Sequence, residues 1–213
     1  MKHLIIIGVG GFAREVHWHA QNSLGYGTEW DIKGFLDGDV KLDEQEYKKL
    51  PLPLLGDIES YEAEADDVFT CAIADCVARE RITKRMELKS AVFINLIHRT
   101  ALIAPTAKIG IGCIIAFLCH VGPDATVGNH VIINARSGIA HDVQVGDYCS
   151  FMGNAGLMGY AKAGERVYLA DSAKALPHAI IEDDVYIGVN SVVFKRAKRG
   201  QKLFGNPASP IDW

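Results

Sequence analysis

A histidine followed directly by a carboxylate, His141-Asp142, with Asn134 seven residues before it, is the segment of this chain best suited to moving a proton. An imidazole titrates near neutral pH, and an adjacent carboxylate can hold it in one tautomer and stabilise its charged form. His130 and His178 are read instead as ordinary exposed histidines. A second constellation lies near the start of the chain. Gly8-Val9-Gly10-Gly11-Phe12-Ala13 follows the apolar run Lys2 to Ile7, and Asp37 closes a second such run at Asp37-Gly38-Asp39. Glycines at the end of a parallel strand let backbone N–H groups approach a phosphate, whose charge the next helix N-terminus favours; an acid ending the second strand suits a ribose or a base. The same loop also serves as a plain turn for strand–helix packing, so Gly8, Gly10, Gly11 and Asp37 are candidates for nucleotide binding.

Other chemistries find less support. A metal site is not expected, because neighbouring coils of the repeat described below align residues eighteen apart and none of His120, His130, His141 and His178 has such a partner. The five cysteines include no C-x-x-C pair, and three of them fill compact repeat positions, which suits a reduced, cytoplasmic protein without a disulfide framework. His17-Trp18-His19 is read as a partly buried aromatic flanked by surface histidines. Lys195, Arg196, Lys198, Arg199 and Lys202 could meet the phosphates of coenzyme A, but are read as solvated surface. A formal net charge of −4 gives no support to a nucleic-acid or membrane-surface partner, and the apolar run Leu4 to Val9 is too short to cross a bilayer. That run lacks a basic segment and a cleavage site, so no signal peptide is expected.

The element that must carry His141 is written in the spacing. An apolar residue recurs every sixth position from Ile103 to Val193, and a compact residue stands four places after each, from Ala107 to Ala197. Neither a 3.6-residue nor a 2-residue period selects two positions in six; a period of six marks a parallel β-helix, here of roughly five coils. A single coil cannot bury its inward row, so stacking supplies the core and the ends need covers. The N-terminal domain is expected to cover one end and the tail, from Gly205-Asn206-Pro207-Ala208 on, to fold over the other. His141 takes a corner place pointing away from the inward rows.

Before the repeat the texture is different. Strands are expected at Lys2 to Ile7, Ile32 to Leu36, Leu52 to Gly56, Val68 to Ala74 and Val92 to Ile94, with helices from Arg14 towards the Gly25–Gly27 turn and from Ala78 to Leu88. Strands alternating with helices give a small α/β domain on a parallel sheet. The division is drawn as 1–97 and 98–213, with the join between Asn95 and Pro105. An NAD oxidoreductase is disfavoured, because the first domain lacks a second mononucleotide half.

Taken in order, the Gly-x-Gly-Gly loop, Asn95-Leu96-Ile97-His98, the hexad coils, His141-Asp142 and Gly205-Asn206-Pro207-Ala208 resemble the bacterial nucleotide-amino-sugar N-acetyltransferases, a group that includes the sialic-acid O-acetyltransferases. The resemblance spans nearly the whole chain. It implies a Rossmann-like domain holding a nucleotide-amino sugar, a left-handed parallel β-helix binding acetyl-CoA, and a homotrimer with sites between neighbouring subunits. The left hand comes from the resemblance, since parallel crossovers are otherwise right-handed. By the same resemblance, His141 is the catalytic base, Asp142 its acidic partner, Asn134 a neighbour of the reacting groups, and Gly159 a coil glycine against which the CoA arm runs. Gly8, Gly10, Gly11 and Asp37 form the nucleotide-sugar site. Phe12-Ala13 stands where the family commonly has His-Gly, and the coils after Gly159 (Ala163, Leu169-Ala170, Ala175-Leu176) lack the usual Ile-Gly pairs. The activity implied is N-acetylation of a nucleotide-linked amino sugar for a bacterial surface glycan. O-acetylation of a sialic-acid-type sugar, or a non-catalytic trimer that only binds the nucleotide sugar, are the rival readings.

Overall fold

A computed structural model of the protein describes residues 1–38 and 43–211; Asp39, part of the expected turn after Asp37, lies outside the described residues. The first domain runs β1 (Lys2–Ile7), α1 (Gly11–Ala20), β2 (Trp30–Asp37), α2 (Glu44–Tyr47), β3 (Leu54–Asp57), β4 (Asp67–Cys71) and α3 (Cys76–Leu88). The four strands form one parallel sheet in the order β3-β2-β1-β4. Leu4, Ile5, Ile6 and Ile7 are buried on both faces of the sheet, as a continuous apolar run in a central parallel strand requires. The expected strand Val92 to Ile94 is reduced to a single bridge between Phe93 and Phe69. Asp75 caps α3 by accepting the Ala78 N–H at 2.7 Å, whereas α1 begins at Gly10 with no side-chain cap.

The second domain is a left-handed parallel β-helix, a prism whose faces are three sheets of six, eight and six two- or three-residue strands. Its first rung, Leu96–Ile97, falls inside the expected join and immediately before the 97/98 division. Neighbouring coils pair eighteen residues apart, as in Ile114, Ile132 and Ser150. The inward row is buried from Ile115 to Val193 and the compact row from Cys113 to Ala197. Each such Ile or Val contributes about 1.5–3 kcal/mol. Every sixth residue from Leu118 to Asn190 turns a corner in the left-handed region, with φ between 52° and 62°. That conformation costs a non-glycine residue about 1–2 kcal/mol. An N–H bond from the corner to the coil before it offsets this, as from Asp142 to Pro123 O (3.0 Å) and from Tyr148 to Asn129 O (2.8 Å).

Two expectations about the prism need correction. Ala197 was placed in the compact row, yet it pairs with Ile181 and takes an inward place, because the last coil is shortened by two residues; Leu203 pairs with Ile187 at the same reduced spacing. The first domain does not cap an end. It lies along the eight-stranded face, where outward Ile114 and Ile132 join the core of Leu4, Ile6, Val16 and Phe35. Ile103, Ala107 and Ile109 of the first coil are consequently only half-buried. The tail does turn back, pairing Ser209–Pro210 antiparallel with Lys202–Phe204. Among the described residues no helix is long and apolar enough to cross a membrane.

Two contacts fix the first domain on this face. At one edge the end of α1 meets the corner at Phe117, with Trp18, His19 and His98 around that ring. At the other edge α3 lies along the corner column His130, Tyr148 and Arg166: Glu87 meets His130, Lys84 stands over the Tyr148 ring, and Glu80 meets Arg166. The helix advances about 5.4 Å per turn and the coils about 4.8 Å, so residues one turn apart match successive coils. Beneath α3, Arg79 is fully buried and donates to five carbonyls: Ile73 and Ala74 of its own domain, and His130, Tyr148 and Cys149 of the prism.

Candidate functional site

The glycine loop opens onto a cleft lined by Gly8, Gly10, Asp37, Gly38, Ile73 and Arg81, among others. Gly8 has φ +114°, and a Cβ on it would come within 3.0 Å of Ala72 O just after β4, so the backbone turn and its close neighbour alone demand glycine there. Gly10 differs. A Cβ at Gly10 would meet nothing within 4 Å, so the open space belongs to the cleft and not to protein packing. Gly11 starts α1, whose first N–H groups receive no side-chain cap, and the Arg14 guanidinium stands near it. Uncapped N–H groups and a nearby cation favour an anion.

Asp37 is buried at the cleft. Its Oδ2 accepts the Tyr47 hydroxyl, while Oδ1 is buried with no partner among the described residues. An unmet buried acceptor costs about 1–3 kcal/mol, and a ligand donor would recover it. Arg81 was not foreseen. It is one of several charges on α3, and nothing in the sequence distinguishes it from the others; the docking of α3 turns it into the cleft.

His141 stands elsewhere, at the corner between the strands Gly138–Ile139 and Gln144–Val145. This corner joins the two six-stranded faces, so it is the ridge opposite the face that the first domain covers. The side chain is 54% exposed, and Nδ1–H donates to Asp142 Oδ2 at 2.9 Å, leaving Nε2 with no hydrogen-bond partner among the described residues. Asp142 is a left-handed corner residue (φ 58°), which brings its carboxylate alongside the preceding ring. Gly159 sits one coil on. A Cβ there would come within 2.6 Å of the imidazole, so this glycine makes room for the ring of His141. Asn134 occupies the preceding corner, where its Oδ1 accepts the Ala135 N–H at 2.7 Å. Within one protomer, then, His141, Asp142 and Gly159 come together, whereas Asn134 and the cleft of Gly8, Gly10, Gly11 and Asp37 stand apart from them.

The remaining candidates resolve by burial. His130, expected at the surface, is 1% exposed: Nε2 donates to Glu87 Oε1 at 2.9 Å, and burial lowers its pKa. The helical triplet is inverted, with Trp18 57% exposed and His17 and His19 buried, because α1 turns Ala13, Val16, His17 and Ala20 inward. Burial, with His98 nearby, pushes the His19 pKa down to about 4. Burial also pushes the thiols of Cys71 and Cys113 up to about 12, which makes them poor nucleophiles. In the basic cluster, Arg196 pairs with Glu182 and Arg199 with Asp183, both at the surface.

Comparison with known proteins agrees with this architecture. Residues 3–86 match the family model described as the PglD N-terminal domain. No curated protein matches the chain. Among solved structures, the acetyltransferase domain of PglB from Neisseria gonorrhoeae in complex with acetyl coenzyme A is 26% identical, with a TM-score of 0.86 over 99% of both chains. PerB from Caulobacter crescentus, in complex with CoA and GDP-perosamine, is 24% identical, with a TM-score of 0.86 over 100% of this chain and 98% of that one. WeeI from Acinetobacter baumannii is 22% identical, with a TM-score of 0.85 over 99% of this chain and 100% of that one. The resemblance to nucleotide-amino-sugar N-acetyltransferases therefore holds across both domains and their order, and the chain has the build of a hexapeptide-repeat acyltransferase.

Proposed function

We propose that the protein transfers the acetyl group of acetyl-CoA to the amine of a nucleotide-linked amino sugar, within the cytoplasm, for a bacterial surface glycan. The single observation that carries the reading is the exposed, Asp142-oriented imidazole of His141 on a hexapeptide ridge, in a chain that matches sugar N-acetyltransferases from end to end. As the amine attacks the thioester carbonyl, its nitrogen becomes acidic and neutral His141 Nε2 removes a proton. The C–N bond forms, the C–S bond breaks, and the imidazolium returns its proton to the departing CoA thiolate. Asp142 stabilises the imidazolium from Nδ1. A backbone N–H would support the oxyanion, and the CoA arm would run along the coil at Gly159. Gly10, Gly11 and the start of α1 would hold the diphosphate, and Asp37 Oδ1 would accept a donor from the ribose or base.

In this reading the protein works as a homotrimer. The cleft and His141 stand apart on one protomer, so a sugar held by one copy would reach the imidazole of the next, with Asn134 supplied across the same junction. Acetyl-CoA is the co-substrate, and neither a nucleic acid nor a membrane is a partner in this reading. The experiment is a CoA-release assay with mass analysis of products, using UDP-, dTDP-, GDP- and CMP-linked amino sugars beside free sugars. Acetylation confined to an amine-bearing nucleotide sugar is the expected result. Acetylation of a hydroxyl on a free sugar would establish the O-acetyltransferase alternative, and acetyl-CoA binding without turnover on any acceptor would make the protein a binding trimer.

A further inference from the structure

The ridge that carries His141 holds an aromatic pair one and two coils on. Tyr160 and His178 occupy the corner places aligned with Asp142, and their rings stack with centroids 4.9 Å apart and planes 2° from parallel. The Tyr160 ring also meets the His141 imidazole at 5.2 Å and 85°, a T-shaped contact. Its N–H donates to His141 O at 3.2 Å, which ties the two corners through the backbone as well. Proline stands at the equivalent corner on either side of the His141 and Gly159 coils, at Pro123 and Pro177, and fixes φ there.

An imidazole on a surface ridge needs more than one contact to define its direction. The Asp142 bond holds one ring nitrogen, and the ring lies over Gly159, which has no side chain to hold it from that side. The T-shaped wall of Tyr160 supplies the missing restraint, and His178 backs it. We propose that Tyr160 is a positioning residue, setting the direction in which His141 Nε2 faces the acceptor amine. This rests on the reading of His141 as the base. The phenol hydroxyl has no part in it; the restraint is the ring face and its stacked partner.

The test is steady-state kinetics on the full-length protein with the amino-sugar nucleotide and acetyl-CoA, for Tyr160→Ala, Tyr160→Leu and Tyr160→Phe beside His141→Ala. Tyr160 is half exposed, so its replacement should leave the melting temperature close to that of the unaltered protein, and Tyr160→Leu keeps apolar bulk as a second probe. Loss of the aromatic wall should lower kcat by roughly 10- to 100-fold, the scale of a small misplacement of a reacting group, with both KM values held within about twofold. Tyr160→Phe should restore kcat to within about twofold. An unchanged kcat in both Tyr160→Ala and Tyr160→Leu overturns the proposal. A raised KM for acetyl-CoA alone would also overturn it, by making the ring part of the donor site. Failure of Tyr160→Phe to the level of Tyr160→Ala would overturn it in favour of hydroxyl chemistry. His141→Ala separates the two readings: full activity there defeats the base assignment, whereas an inactive His141→Ala beside an unaffected Tyr160→Ala defeats only the positioning role.

Discussion

His130 and His141 stand on two ridges of the same prism, built by the same six-residue rule, and they end in opposite circumstances. His130 lies under α3, with its Nε2 spent on Glu87 and its Nδ1 buried without a partner among the described residues. His141 lies on the ridge that the first domain leaves bare, with Nδ1 spent on Asp142 and Nε2 without a partner among the described residues. A covered imidazole becomes part of a structural weld. A bare one leaves a ring nitrogen open to whatever approaches the ridge. The repeat treats its three ridges alike, and the docking of the α/β domain assigns them different work.

The strongest way to break the comparison is to remove each imidazole in turn. His141→Ala should lower turnover by roughly 10²- to 10⁴-fold with an unchanged melting temperature and oligomeric state, checked by CoA release and size-exclusion chromatography. His130→Ala should do the reverse, costing about 1–3 kcal/mol in urea unfolding while the folded protein keeps its turnover. Loss of activity in His130→Ala without loss of stability would merge the two roles. Arg79→Ala sharpens the contrast from the other side. It strips buried carbonyls of their donor, at about 1–3 kcal/mol for each one left unpaired, so a clear fall in stability on urea unfolding is expected.

Asp37→Ala tests the cleft. Its effect should be a higher KM for the nucleotide sugar, by about tenfold, with kcat retained and with no loss of stability in the free protein beyond that of the Tyr47 contact. An unchanged KM would remove Asp37 from the binding site.

The smallest expected effect concerns pH. His19 and His130 have folded pKa values lowered below 6.5 by burial, so the unfolded chain binds more protons than the folded one below that pH. Their contribution is complete above pH 6.5 and is lost as the pH falls from there towards about 4, where His19 titrates in the folded state. Unfolding measured across that window should show stability rising with pH, and His19→Phe should flatten part of the slope. A slope identical to that of the unaltered protein would contradict the assignment.

Much of the fold was legible because it rests on local rules. Ile115 to Val193 point inward since a hexad corner returns the chain to the same orientation, whatever lies outside the prism. The continuous run Leu4 to Ile7 announced a central parallel strand for a similar reason. His141 with Asp142 was legible as a pair because adjacent residues at a left-handed corner bring their side chains together. His130, His17 and Trp18 were misread because the burial of each is decided by how elements pack, which spacing alone does not report. Gly159 could have been assigned in part, since eighteen-residue alignment puts it over His141, but the need for space became visible only with the ring in place. Arg79 and Arg81 carry no pattern that separates them from the other charges of α3.

The sequence by itself determined a prism of hexads, its inward rows, and the corner at which one imidazole and one carboxylate stand side by side. Only the tertiary structure decided which of three equivalent outer faces would be covered, and hence which histidine would be buried and which left exposed. The physical reason is range. Coil geometry is set by each residue and its neighbours in the repeat, whereas the seat of the first domain depends on matching α3, residue by residue, to corner residues such as His130, 43 positions from Glu87 and far outside any local window.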